Sequence, residues 1–295
     1  MRWEGDEQSS NVEDRRGDSG GGGGGGFGLG GGSLGIGAVV VALLGSWFFG
    51  VSPSTILNLL SGGGGSPAQV QQQAPSGPPA TDRESQFVRT VLRYTETTWT
   101  QIFQANGAKY QPPVLVLYTG RTGTGGCGTG QSAVGPFYCP ADRKVYIDLS
   151  FFKLMQQRFH VSGEFTQAYV IAHEVGHHVQ NLLGISGKVD NARQQLSESQ
   201  GNALSVRVEL QADCFAGVWA NHTDETKRII QDGDVESALA AASAIGDDAL
   251  QRQARGEVVP DSFTHGTSAQ RMRWFKKGLE SGSVEQCNTF EARQL

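Results

Sequence analysis

The sequence predicts an α+β protein, a mostly helical domain with a small sheet, preceded by one transmembrane helix. In the C-terminal two thirds, two short apolar strands come before a run of helical segments. Nearer the N-terminus, an uncharged stretch of 18 residues, 34–51, follows a glycine-rich tract in which residues 20–37 hold 13 glycines. The net charge of −5 and the pI of about 5.7 exclude a globally basic surface, so no nucleic-acid partner is expected.

The N-terminal part of the chain is predicted to contribute little to a folded core. Residues 1–19 are polar and of mixed charge, a composition typical of disorder, and with the glycine tract they form a tail over residues 1–33. Residues 58–81 are rich in Gly, Pro and Gln and indicate a second flexible linker. The folded domain is therefore expected over residues 82–295.

The segment between these tracts, residues 34–57, is predicted to cross a membrane. Its 18 uncharged residues reach the lower end of a bilayer span, at about 1.5 Å per residue across roughly 30 Å of hydrocarbon. A cleaved signal peptide and a buried core helix are the alternatives. Three arginines precede the span and none follows before Arg83, so the positive-inside rule predicts a cytoplasmic N-terminus and an external C-terminal domain.

The elements of the folded domain follow from the periodicity of its apolar residues. Glu84–Ala105 has helical spacing, Pro113–Thr119 and Lys144–Leu149 indicate strands, and Gly120–Gly130 indicates a loop. Five further helices are predicted downstream: Phe151–Phe159, Phe165–Leu183, Asn202–Ala220, Val235–Ile245 and Ser268–Leu279. As an edge strand, Lys144–Leu149 could bind an extended peptide substrate through its main chain.

The chain has four cysteines, which allow two disulfides in an exported domain. Cys127 and Cys139 are close in sequence and flank one loop, so we expect them to pair. This leaves Cys214 to pair with Cys287. Four free buried thiols are the alternative for a cytoplasmic domain.

A five-residue pattern over residues 173–177 carries the chemistry. His173 and His177 are four residues apart on a helix, so both imidazoles lie on one face and can bind one ion. Glu174 can reach a water on that ion. Gly176 allows another segment to approach this face closely.

A catalytic zinc needs three protein ligands, and the third is expected downstream. Glu209 and Asp213 are also four apart, on a helix whose other residues are largely apolar. Glu209 can bind the ion, and Asp213 can accept the outer ring N–H of a ligand histidine. Two acids with this spacing are more often a solvated helix edge, but the apolar surroundings make bare acids costly here.

Three separated motifs, HEVGHHVQ, ELQADCFAG and FTHGTSAQRMRWF, resemble the neutral zinc metallopeptidases of bacterial membranes over residues 82–295. The resemblance implies a zincin-like, gluzincin-type metalloprotease domain that holds one Zn²⁺. The positive-inside rule would place this domain at the periplasmic side of the bacterial cytoplasmic membrane. The resemblance also implies that His173, His177 and Glu209 bind the zinc and that Glu174 is the catalytic acid and base. After His177 the chain has no third motif histidine, which argues against a metzincin.

The expected reaction is hydrolysis of a peptide bond in a protein or peptide substrate, with Glu174 moving a proton from the attacking water to the leaving amine. His265 and, less strongly, Tyr138 are candidates to stabilise the oxyanion. His178 is expected to be structural, and His160 and His222 to be surface or capping residues. A zinc-binding pseudoprotease that binds envelope proteins, and a zinc amidase that acts on cell-wall peptides, are the alternative functions.

Overall fold

The computed structural model describes residues 1–17, 82–132, 135–159 and 163–295. Within these ranges the α+β class is confirmed, with helices and a small sheet. The chain divides into two compact units. We call them the helical unit (Met1–Asn11, Asp82–Pro113 and Phe152–Leu295) and the sheet unit (Val12–Thr81 and Val114–Phe151), and each is described by itself.

In its described residues, the sheet unit contains a four-stranded sheet and a short hairpin. The sheet has the order β1-β2-β6-β5, in which β1 and β6 run parallel to β2, and β5 runs antiparallel to β6. Strands β2 and β6 are buried along most of their length, which explains their nearly continuous apolar sequences. The strands are β1 Val12–Asp14, β2 Val114–Tyr118, β3 Arg121–Gly123, β4 Thr129–Gln131, β5 Phe137–Cys139 and β6 Lys144–Asp148, of which β3 and β4 form the hairpin.

The position of β6 corrects one expectation. Both predicted strands are confirmed as β2 and β6, but β6 is an inner strand that pairs with β2 on one side and β5 on the other. Its main-chain groups are therefore engaged in the sheet, and the prediction that residues 144–149 offer a free edge to a peptide is wrong. Sequence periodicity identified the strand but could not show that the short β5 covers its outer edge.

The helical unit is built on three long helices and several shorter ones. Helix α1 begins after Asp82, whose side chain accepts a hydrogen bond from the backbone N–H of Ser85. The five other helices predicted from sequence are confirmed, with α5 longer than expected, while α4 and α7 were not predicted. The helices are α1 Arg83–Ala105, α2 Ser150–Phe159, α3 Glu164–Leu182, α4 Ile185–Arg193, α5 Glu198–Lys227, α6 Asp234–Ala244, α7 Asp247–Arg255 and α8 Ser268–Ser281.

Three glycines let these helices approach closely. A Cβ atom at Gly176 of α3 would lie 3.1 Å from the carbonyl oxygen of Ala212 in α5, so the close approach expected at Gly176 is confirmed. Helices α5 and α8 approach more closely still. A Cβ at Gly217 would overlap the backbone of α8, and one at Gly278 would overlap the backbone of α5. These contacts bring the faces of α3, α5 and α8 that carry polar side chains together.

The first 17 residues are ordered, which corrects the predicted disordered tail over this part of residues 1–33. Trp3 is buried and packs edge-on against Phe87 of α1, with ring centroids 5.3 Å apart. The Tyr94 hydroxyl donates to Asp6 at 2.6 Å, and β1 joins the sheet beside β2. Composition missed this segment because a few apolar anchors and ion-paired acids are enough to hold it on an existing core.

This packing also corrects the predicted membrane topology. In the ranges that the structure describes, no helix combines the length and apolar character needed to cross a bilayer. The predicted span over residues 34–57 and the linker over residues 58–81 lie outside those ranges. Residues 1–11 belong to the same compact unit as α1, so the prediction of a single-pass protein in the bacterial cytoplasmic membrane, with a cytoplasmic N-terminus and a periplasmic domain, is wrong.

Both predicted disulfides are confirmed. Cys127–Cys139 joins the β3–β4 region to β5 within the sheet unit, and Cys214–Cys287 joins α5 to the C-terminal tail within the helical unit. No free cysteine occurs in the chain.

Candidate metal centre

Helix α3 presents two histidines at the centre of the site. His173 and His177 are one helical turn apart, and their Nε2 atoms are 3.2 Å from each other. His173 is buried and His177 is partly exposed. The two rings therefore aim the same nitrogen at one point, as the i to i+4 spacing predicts.

Helix α5 brings a carboxylate to the same point. The Glu209 carboxylate lies 3.2 Å from Nε2 of His173 and 3.6 Å from Nε2 of His177. One potential ligand atom from each of these three residues lies within 4.8 Å of the others. Two imidazole nitrogens and one carboxylate oxygen form a donor set that suits zinc and leaves a fourth position for water or substrate.

The charges of these groups are strongly coupled. Burial alone would raise the pKa of Glu209, but His177 and His173 hold the pKa of this carboxyl well below its usual range. Burial opposes protonation of His173, whereas the Asp213 carboxylate beside it raises the pKa of His173 to about 10. At both groups the effect of burial is therefore outweighed by the opposite charges beside them.

Asp213 is the outer partner of His173. Its carboxylate lies 2.9 Å from Nδ1 of His173 and accepts a hydrogen bond of 2.5 Å from the Tyr169 hydroxyl. Arg271 of α8 donates to both oxygens of Asp213, at 2.8 and 2.9 Å, in the forked geometry that suits a guanidinium. Burial would raise the pKa of Asp213, but Arg271 and His173 lower this pKa to about 2.

His177 has a neutral outer partner. Its Nδ1 lies 2.9 Å from Oε1 of Gln180, three residues further along α3. Nε2 of Gln180 donates to the carbonyl oxygen of Val208 at 2.7 Å and to Oε1 of Gln211 at 3.1 Å. Nε2 of Gln211 in turn donates to the carbonyl oxygen of Cys287 at 3.1 Å.

Glu174 is buried on α3 beside the first histidine. Burial raises the pKa of its carboxyl and the nearby Glu209 acts in the same direction, while His173 and His177 oppose them. A buried carboxyl with a raised pKa is the kind of group that can exchange protons.

His265 precedes α8 and is buried within the helical unit. Its Nδ1 lies 3.2 Å from Asp247, which also accepts hydrogen bonds from the backbone N–H groups of Thr264, His265 and Gly266. Its Nε2 is buried and makes no hydrogen bond with any residue that the structure describes. Burial would lower the pKa of His265, but Asp247 and, more weakly, Glu209 raise it.

Comparison with known proteins identifies the family. Residues 1–290 match the family model described as "Putative neutral zinc metallopeptidase". The chain belongs to this zinc metallopeptidase family. It is 52% identical over 292 residues to YpfJ of Escherichia coli K12, an uncharacterized protein, which covers 98% of this chain and 99% of YpfJ. It is 44% identical over 196 residues to the uncharacterized protein Mb2605 of Mycobacterium bovis, which covers 63% of this chain and 65% of Mb2605. No solved structure matches the chain.

Membership in the zinc metallopeptidase family agrees with the resemblance noted from the three sequence motifs. The match to the family also includes the ordered N-terminal residues 1–17. The zinc in the family description fits the donor set of His173, His177 and Glu209. Of the predicted site residues, Asp213 contacts His173 as expected.

The remaining candidates lie elsewhere. Nε2 of His178 is 2.7 Å from the carbonyl oxygen of Gln111, and Nε2 of His222 is 2.8 Å from that of Gly282, so both side chains are engaged with backbone. Tyr138 is buried in β5 of the sheet unit. His160 lies outside the described residues.

Sequence reasoning missed four polar residues around the site: Tyr169, Gln180, Gln211 and Arg271. Three of them lie inside the motifs HEVGHHVQ, ELQADCFAG and FTHGTSAQRMRWF, and Tyr169 lies four residues before His173. The available signal was a polar side chain in a buried apolar helix, since such a group needs a partner. The partner of Arg271 lies 58 residues away, so the pairing required the structure.

Proposed function

We propose that this protein is a zinc-dependent metallopeptidase that hydrolyses peptide bonds in a protein or peptide substrate. The observation that carries the proposal is the convergence of His173, His177 and Glu209 on one point, beside the buried carboxyl of Glu174.

The residues present fit a zinc ion. Nδ1 of each histidine already faces a partner, Asp213 for His173 and Gln180 for His177, so Nε2 is the nitrogen left for the ion. The three donors lie on α3 and α5, and these helices approach each other closely at Gly176 because this residue has no side chain. Two imidazoles, one carboxylate and an open fourth position make up the arrangement of catalytic rather than structural zinc sites.

A bound zinc supplies a Lewis acid that lowers the pKa of water and polarises the substrate carbonyl. Glu174 supplies the proton transfers: its carboxylate accepts a proton from the attacking water and returns it to the leaving amine nitrogen. Asp213 orients His173 and keeps Nε2 of that ring directed at Glu209. These are the roles that the donor set and the buried carboxyl allow.

His265 is proposed to stabilise the oxyanion that forms on the substrate carbonyl. Asp247 accepts from Nδ1, so the buried Nε2 donates a hydrogen bond to a ligand when His265 is the doubly protonated imidazolium, a form that the Asp247 carboxylate favours by raising the pKa of His265. A donor of this kind contributes typically about 3 to 4 kcal/mol of transition-state stabilisation. Substitution of His265 by Ala is therefore expected to lower kcat by about 100-fold or more and to leave zinc content unchanged.

The central test is Glu174→Gln, measured for zinc content and peptide cleavage on the same preparation. We expect full zinc content, because Glu174 is not among the three donors, and loss of cleavage, because an amide cannot accept the proton. Glu209→Ala is the matched comparison and should lose zinc and cleavage together. Cleavage by Glu174→Gln at the parent rate would contradict the proposal. Assays on casein and on muropeptides distinguish a general peptidase from an amidase of cell-wall peptides.

A further inference from the structure

We infer that Gln180 and Gln211 are positioning residues for His177, and that the Cys214–Cys287 disulfide supports this side of the metal site through them. This rests on the proposed function, because it assigns a role toward the zinc that His177 would bind. The two glutamines, unlike Glu174 or Glu209, contribute no ligand and no proton.

The hydrogen bonds form one continuous chain with a fixed direction. It runs from Nδ1 of His177 to Gln180, from Gln180 to Gln211, and from Gln211 to the carbonyl oxygen of Cys287. Gln180 and Gln211 are both buried, so no bulk water competes for these groups. A buried amide that lost its partner here would remain unsatisfied, which keeps the chain closed.

Two backbone carbonyls determine how each amide is oriented. A carbonyl oxygen can only accept, so the amide nitrogen of Gln211 must face Cys287, and that of Gln180 must face Val208. Oε1 of Gln180 is then the atom that faces His177, and because this oxygen can only accept, Nδ1 of His177 must carry the hydrogen. The lone pair is left on Nε2, the nitrogen that faces Glu209.

The far end of the chain is fixed covalently. Cys287 lies in a short 3-10 helix, Glu285–Cys287, after α8, and its disulfide joins it to Cys214 of α5. Cys214 is only three residues after Gln211 on the same helix. The disulfide thus holds the accepting carbonyl opposite the glutamine that donates to it. When the bond forms, the two Sγ atoms lose two electrons and two protons, which reduce a partner disulfide to a dithiol.

The consequence is that zinc affinity depends on this disulfide and not on the other one. Cys127–Cys139 lies in the sheet unit and takes no part in the hydrogen bonds from His177. Losing the outer partner of a ligand histidine typically costs about 10- to 100-fold in metal affinity. We expect a loss in this range for removal of Gln180 and a smaller loss for removal of Gln211, which acts one step further away.

The test measures the zinc dissociation constant of the full chain by competition with a fluorescent chelator. Gln180→Met and Gln211→Met remove the amides at similar volume, and Gln167→Met, on the same helix as Gln180, is the control that should bind zinc as the parent does. Gln180→Glu restores an oxygen acceptor for His177 but not the amide donor. It should bind zinc at least 5-fold more tightly than Gln180→Met, which a merely structural role for Gln180 would not produce.

The disulfides are compared with serine variants, because free thiols would themselves bind zinc. Cys214→Ser/Cys287→Ser should weaken zinc binding about as much as Gln211→Met, and Cys127→Ser/Cys139→Ser should leave it unchanged. Circular dichroism of each chain checks that it is folded. If the parent binds zinc and both Met variants bind it equally tightly, this inference fails and the proposed function stands. If the parent binds no zinc, both fail.

Discussion

The two histidines of the candidate metal centre are held in different ways. Nδ1 of His173 faces the carboxylate of Asp213, which is itself paired with the buried guanidinium of Arg271. Nδ1 of His177 faces the neutral amide of Gln180. The first arrangement places full charges in a fully buried position, and the second uses only dipoles.

The difference shows how a protein can orient two similar ligands at different cost. The two charges of a buried ion pair attract each other strongly, but this attraction must offset the loss of hydration of both. Removing one of the two charges leaves the other buried without a partner and strongly lowers the free energy of unfolding. An amide chain orients a ring with less energy at risk, because each neutral hydrogen bond contributes about 0.5–1.5 kcal/mol. The charged side therefore couples ligand orientation to folding stability, whereas the amide side affects mainly the ligand.

The largest expected effect is on the charged side. Arg271→Met leaves Asp213 buried without its guanidinium partner, and we expect the free energy of unfolding to fall by about 3–5 kcal/mol. Chemical denaturation measures this directly. Lys276→Met on the exposed face of α8 is the control and should change stability by less than about 0.5 kcal/mol. If the two variants were equally stable, the claim that the buried Asp213–Arg271 pair couples the site to folding stability would be contradicted.

The second effect concerns the approach of α8, which carries Arg271. Gly217→Ala on α5 forces a methyl group into the backbone of α8, so we expect a loss of about 1–3 kcal/mol in the free energy of unfolding. Gly201→Ala on the same helix meets no atom closer than 3.8 Å and should instead raise stability by about 0.5–1 kcal/mol. If thermal or chemical unfolding showed that both variants change the free energy of unfolding in the same direction, the proposed close contact at Gly217 would be contradicted.

A smaller effect is expected on the neutral side. Gln180→Met removes a donor from the carbonyl of Val208 and an acceptor from His177, and we expect a loss of about 1–2 kcal/mol in the free energy of unfolding. The decisive comparison with Arg271→Met is the ratio of the loss in zinc affinity to the loss in the free energy of unfolding. This ratio should be larger for Gln180→Met than for Arg271→Met. A destabilisation as large as that of Arg271→Met would show that charge makes no difference here.

The pH dependence gives the smallest and most specific difference. His265, like His173, has a charged partner, in this case Asp247. Burial would raise the pKa of Asp247, but His265 and hydrogen bonds from backbone N–H groups lower this pKa. Because the folded pKa lies below the unfolded value of about 3.9, Asp247 stabilises the fold above that pH and loses this contribution as pH falls through the folded pKa.

The measurement is the difference in unfolding free energy between the parent and Asp247→Asn from pH 6 to pH 2. It should be constant above about pH 5 and should shrink as the pH falls below about 4. The difference between the parent and Gln180→Met should not change over the same range, because no carboxylate is removed. A constant difference for Asp247→Asn would show that its charge is not what stabilises the loop before α8.

The sequence predicted the parts of the site that repeat within a helix. His173, Glu174 and His177 follow from one helical turn, and so do Glu209 and Asp213, because spacing along a helix fixes which side chains share a face. It did not predict the partners that come from distant segments, such as Arg271 for Asp213 or Cys287 for Gln211. These depend on how α3, α5, α8 and the C-terminal tail pack, which no local pattern encodes.

The same limit explains the error over the N-terminus. Residues 1–17 have too few apolar side chains to fold alone, and composition correctly reports this. Trp3 nevertheless packs on Phe87, and Val12–Asp14 pairs with Leu115–Leu117, because α1 and β2 already offer a surface and an unpaired strand edge. Such a segment is ordered because of the surface on which it packs, and its own composition does not reveal this.

The pairing of β1 with β2 also constrains how the chain folds during synthesis. Val12 pairs with Leu115, so β1 leaves the ribosome about a hundred residues before its partner exists. At about 5–20 residues per second, this delay is roughly 5–20 s. Strands β2 and β6 are separated by a far shorter stretch and can pair with each other first. We therefore expect β1 to join the sheet after β2 and β6 have paired with each other.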